Sequence, residues 1–174
     1  MLPTPLHPAI VHFPIVLVFL LPIFALGALW AIRRGARPRR AWALAVAVAA
    51  ALASSAFVAL KTGEAQEERV EDVVAESAIH QHEEAAEAFL VLSGVVLLVT
   101  AAGLFGGVTG RSARLVATAG ALGLIIAGFR VGDSGGKLVY EYGAASAYVQ
   151  PSPRSADLSM QMPRSAADHD DDEE

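Results

Sequence analysis

The chain has 174 residues, 54% of them hydrophobic and only 18% charged, with a net charge of −5 and no cysteine. A soluble domain carries about 25% charged residues. The lack of cysteine excludes disulfides, thiolate zinc sites, cysteine-held iron–sulfur clusters and covalent c-type haem, and no basic face for nucleic acid is present.

The apolar residues gather in four blocks of about 20. At a rise of about 1.5 Å per residue, that length crosses a hydrocarbon layer roughly 30 Å thick. The blocks predict helices at about 8–32, 41–60, 85–108 and 113–130. The fold class is therefore all-α, a four-helix transmembrane bundle formed by residues 1–150 and surrounded by lipid. Pro14 falls in the first turns of the first helix, where a missing N–H costs little. Pro22 is interior and deprives the carbonyl near Val18 of its usual donor. The N-terminus shows no charged n-region followed by a cleavage site, so no cleaved signal peptide is expected.

Arg33, Arg34, Arg37, Arg39 and Arg40 fill the first interhelix loop, and Arg111 and Arg114 flank the third. Basic short loops mark the cytoplasmic side, and alternation of the helices puts both loops on one side. The N-terminus, residues 61–84 and everything beyond Arg130 are then extracytoplasmic. The segment from Thr62 to His82 is acidic with a sparse apolar stripe at Val70, Val73, Val74 and Ile79, which predicts an extramembrane helix. Residues 131–149 read as a small extracytoplasmic cap, with a turn at Gly132–Gly136. Residues 151–174 are polar and end in acids, the composition of a disordered tail.

Small residues recur every four positions at Ala43, Ala47 and Ala51, at Gly103 and Gly107, at Gly106 and Gly110, and at Ala119, Gly123 and Ala127. This spacing lets helices approach closely in lipid and predicts intramolecular packing faces.

Four of the five histidines fall near one predicted plane. His7 and His12 lie at the outer end of the first helix, and His80 and His82 just precede the third, with Arg130 closing the fourth at the same level. Titratable groups at membrane depth are costly and tend to be functional. Imidazole ligates haem iron and transition metals. A b-type haem held by His12 and His82 is the preferred pairing, with His12 and His80, or His7 and His82, as alternatives. His7 and Arg130 would tune or anchor the group, Arg130 or Lys61 would meet its propionates, and Phe13, Phe19, Phe89 and Leu90 would cover it. A non-haem metal site using His12, His82 or His80 is a second reading. Glu76, His80, Glu84 and Glu87 also recur at helical spacing. The structural alternative is that the imidazoles only cap helices and bond to backbone or to nearby glutamates.

No Walker motif occurs, and no nucleophile elbow surrounds Ser134. The chain is not expected to be an enzyme by itself. The sequence thus points to a haem-binding electron-transfer or redox-accessory subunit, with a periplasmic or membrane redox protein as its partner. A structural or assembly subunit without cofactor is the alternative.

The opening Leu6-His7-Pro8-Ala9-Ile10-Val11-His12-Phe13-Pro14-Ile15 resembles the start of the DUF2231 family, bacterial four-helix membrane proteins of uncharacterised function. The resemblance continues at Thr62-Gly63, in the histidine-containing stretch before the third helix, and from Gly132 to Gly143. It covers roughly residues 6–149 and implies a bacterial cytoplasmic membrane location. Family members often carry histidine at the positions of Asp133 and, less often, Tyr142, so this chain departs from the pattern there. Some relatives are joined to cytochrome c-like modules, which implies redox work at the extracytoplasmic face.

Overall fold

The computed structural model describes residues 6–148; the tail expected at 151–174 lies outside the described residues. The elements are α1 (His7–Ile10), α2 (His12–Arg33), α3 (Pro38–Glu64), α4 (Glu67–Glu71), α5 (Glu76–Ala102), α6 (Gly107–Tyr140) and a 3-10 helix (Ala144–Tyr148). Four stretches, His7–Arg33, Pro38–Glu64, Glu76–Ala102 and Gly107–Tyr140, are long and apolar enough to cross a membrane. No strand occurs among the described residues. Phe19, Ile23, Leu26, Trp30, Leu98, Ile126 and Phe129 are exposed on the bundle, the apolar belt that a bilayer would cover.

The helix ends follow local chemistry. Pro38 opens α3 after an extended Arg37, because a proline excludes helix from the residue before it and lacks only an N–H that would be unbonded anyway. The expected turn at Gly132–Gly136 is instead continuous helix within α6. Asp133 and Lys137 pair there at 2.8 Å in the i, i+4 relationship, and the Ser134 hydroxyl donates to the Val131 carbonyl at 3.1 Å. Both contacts hold the glycine-rich turns in helical form. The acidic segment from Thr62 to His82 is not one helix either. It comprises the end of α3, the short α4 and the first turns of α5.

The packing faces follow the expected small-residue stripes only in part: Gly103 and Gly110 are buried at close contacts, but the alanine stripes are not the ones used. Ala43, Ala47 and Ala51 are exposed, as are Ala119 and Gly123. Ala45, Ala49, Ala56 and Ala59 are the alanines that α3 buries, and Ala117 and Ala121 those of α6. Several alanine stripes run along one alanine-rich helix. The larger buried residues choose among them, Trp42 and Leu52 on α3 and Leu124 on α6.

The helices close a ring in the order α2, α3, α5, α6, with each helix against its two neighbours. Pro14, Val18, Leu21 and Ala25 of α2 are buried, and so, at one constant offset, are Phe89, Ser93, Val96 and Thr100 of α5. A second constant offset takes buried Trp42, Ala45, Ala49 and Leu52 of α3 to buried Arg114, Ala117, Ala121 and Leu124 of α6. The two hairpins, α2–α3 and α5–α6, thus bury corresponding positions and pack side by side. One end of the bundle gathers arginines and the other gathers histidines.

Candidate functional site

The two offsets that relate the hairpins also relate their ends at the histidine rim. One takes His7 to His82, and the other takes Thr62-Gly63 to Ser134-Gly135. The contacts repeat accordingly. His7 Nδ1 lies 2.9 Å from the Ala59 carbonyl and 3.3 Å from the Thr62 hydroxyl. His82 Nδ1 lies 3.0 Å from the Ser134 hydroxyl. Each hydroxyl donates to the carbonyl three residues earlier, Thr62 to Ala59 at 2.9 Å and Ser134 to Val131 at 3.1 Å.

These bonds select a tautomer. A carbonyl only accepts, so His7 Nδ1 carries the proton. The Ser134 hydrogen is committed to Val131, so its oxygen accepts from His82 Nδ1–H. In the neutral rings, both Nε2 atoms then present a lone pair. Metal-binding imidazoles are commonly fixed in this way, through the ring nitrogen that does not ligate.

Glycine makes the room. A Cβ on Gly63 would stand 3.2 Å from His7 Cε1, and one on Gly135 would stand 3.0 Å from His82 Cε1. The two ring centres are 6.3 Å apart, with their planes at 82°. Gln66 secures the start of α1. With its amide oxygen turned to the chain start it accepts from the N–H groups of Leu6 at 3.2 Å and His7 at 3.3 Å, and its nitrogen donates to the Tyr148 hydroxyl at 2.9 Å. Arg69 stacks over the Tyr148 ring. Beside this, Val74, Ile79 and Ala144 bury one another, with Leu138 packed alongside.

Of the residues singled out in the sequence, the fold brings His7 and His82 together. His12 is exposed on the first turn of α2, and Arg130 is exposed along α6 and does not end it. His80 is exposed and lies 3.3 Å from Glu84. Lys61 pairs with Glu64 at 2.6 Å. Phe89 is buried, Phe13 is exposed, and Phe19 meets Phe129 edge-on. Among the described residues, no group of three or more His, Asp or Glu side chains is placed to hold a metal ion. Thr62, Gly63, Ser134 and Gly135 went unrecognised as supports for the histidines. The signal is the recurrence of a hydroxyl residue followed by glycine within the last two turns of α3 and α6.

Fold and rim together define a four-helix protein, with helices able to cross a membrane and one imidazole from each hairpin meeting at one end. The family model described as "Predicted membrane protein (DUF2231)" matches residues 3–147, and the chain belongs to that family. No curated protein and no solved structure matches it.

Proposed function

We propose that this chain is a haem-binding electron-transfer or redox-accessory subunit of the bacterial cytoplasmic membrane, with His7 and His82 as the two protein ligands. The observation that carries the reading is the meeting of these imidazoles, each fixed through Nδ1 and each with Nε2 available. Metal–nitrogen bonds are about 2.0–2.1 Å. With roughly 1.1 Å from nitrogen to ring centre, two imidazoles sharing one ion have ring centres no more than about 6.4 Å apart, and the 6.3 Å between His7 and His82 lies within that reach. A b-type haem would fit a site of two protein donors, because it brings most of its iron's nitrogens with it. It would supply one-electron redox chemistry. Thr62 and Ser134 would orient the imidazoles and raise their basicity.

The basic short loops support an orientation with the histidine rim outside. That position would give a periplasmic or membrane redox partner access to the site. His12 serves this reading less well than His7, because it is exposed and has no fixing bond among the described residues.

A second reading has its own observation. A ring separation of 6.3 Å at 82° is also that of an ordinary edge-to-face pair, so the imidazoles can act as a clasp between hairpins in a structural subunit. The visible spectrum of detergent-purified protein separates the two. Reduced bis-histidine haem gives a sharp alpha band, which His7→Ala and His82→Ala each abolish. A colourless, fully helical protein that contains no metal by elemental analysis leaves the clasp. A colourless protein that contains a metal points to a non-haem site.

A further inference from the structure

The arginine rim holds a cleft of about 660 Å³ where the end of α2 meets the starts of α3 and α6. Arg33, Arg39, Arg111 and Arg114 line it, with Leu29 and Phe105 among its apolar walls. We propose that this cleft binds the phosphate headgroup of an anionic phospholipid.

Three observations carry the assignment. The first is uncompensated charge. The sequence has no Asp or Glu in residues 1–63 or 88–132, so no carboxylate belongs to either hairpin near this rim. The ion pairs among the described residues are Lys61–Glu64, His80–Glu84 and Lys137–Asp133, none of them here. Arg39 and Arg114 donate to the carbonyls of Leu104, Gly103 and Phe105, but no anionic group among the described residues meets the four positive charges, which together favour an anion in the space between them; guanidinium matches phosphate with paired donors.

The second is that the cleft marks a difference between corresponding positions of the two hairpins. Trp42 and Arg114 occupy matching positions in the two hairpins. Trp42 crosses to α5, donates from Nε1 to the Thr100 carbonyl at 2.8 Å and fills the junction of α3 with α5. Arg114 instead folds back on its own loop, donating to the carbonyls of Gly103 at 2.7 Å and Phe105 at 3.1 Å. The matching junction, α6 with α2, is therefore left open. Arg114 is buried while doing so, which holds a positive charge at the cleft wall.

The third is position. The cleft lies at the end of helices able to cross a membrane, where lipid phosphates lie, and its apolar walls continue into the exposed apolar surface of α2 and α6. Basic pockets between transmembrane helices take anionic headgroups in this way. A free phosphate has no use for the apolar walls, so the lipid is the better occupant.

The test measures the rise in thermal midpoint of the full-length protein in detergent as lipid is added. Phosphatidylglycerol should raise it and phosphatidylcholine should not. The double variant Arg33→Gln/Arg111→Gln should need about tenfold more phosphatidylglycerol for the same rise. Arg37→Gln/Arg40→Gln removes the same charge from the same rim outside the cleft, and it should respond like the parent. Equal responses to the two lipids overturn the proposal, as do equal losses in the two double variants. A rise of the same size with inorganic phosphate overturns the assignment to lipid.

Discussion

The rings of His7 and His82 stand centre to centre at 6.3 Å, and each rests on a glycine of its own hairpin. The first prediction follows from this pairing. If the pair ligates haem, His7→Ala and His82→Ala should each remove the reduced alpha band, whereas His12→Ala should leave more than half of it. The visible spectrum of protein purified with haem supplementation reads this directly, and retention of the band in His7→Ala would transfer the role to another residue.

The supporting glycines can be tested separately from the imidazoles. Alanine at Gly63 or Gly135 puts a Cβ within 3.2 or 3.0 Å of the ring. Crowding of this kind costs about 1–3 kcal/mol. Alanine at Gly132 or Gly136, where nothing lies within 4 Å, should stabilise helix α6 by about 0.5–1 kcal/mol. Thermal midpoints of the four variants in one detergent should therefore split into two pairs of opposite sign.

Ser93 is 1% exposed and its hydroxyl has no hydrogen-bond partner. A buried unbonded hydroxyl costs about 1–3 kcal/mol. Ser93→Ala should accordingly raise the thermal midpoint or leave it unchanged, since the methyl nearly fills the same space. A drop of several degrees would mean that the hydroxyl is bonded in the membrane.

Gly103 should tolerate nothing larger. Its Cβ would collide with the indole of Trp42, which is wholly buried and bonded to Thr100. Gly103→Ala should cost more than about 2 kcal/mol, visible as a lowered midpoint. Trp42→Phe in the same background should recover part of the loss by freeing the space.

Orientation is tested by reporters. An insertion between Arg34 and Arg37 should place an enzyme reporter in the cytoplasm, and a fusion after Glu174 should place one outside. The reverse pattern would put the histidine rim in the cytoplasm and remove its proposed partner.

The four spanning helices were legible in the sequence because their signal, block length and apolarity, depends only on local composition. The helix ends were less so. Gly132–Gly136 reads as a turn because glycine favours one, yet Gly135 is glycine for the sake of the His82 ring beside it. The alanine faces were misjudged for a related reason. Ala43 and Ala45 are chemically identical, and the face of α3 that carries Trp42 and Leu52 decides which of them turns inward. At the rim, the sequence brought four histidines to one plane but favoured His12 over His7 as the partner of His82. Depth along a helix can be counted from residue numbers, whereas azimuth around it requires the neighbours. The correspondence between the hairpins is one of buried positions rather than residues, Trp42 against Arg114 and Val18 against Ser93, so no repeated string announces it.

The two rims differ in how evenly the hairpins face each other. At the histidine end like meets like, imidazole against imidazole, whereas at the arginine end an indole of one half stands where the other half has a guanidinium. A molecule seated at the first rim would meet a nearly even-handed environment, and one seated at the second a lopsided one.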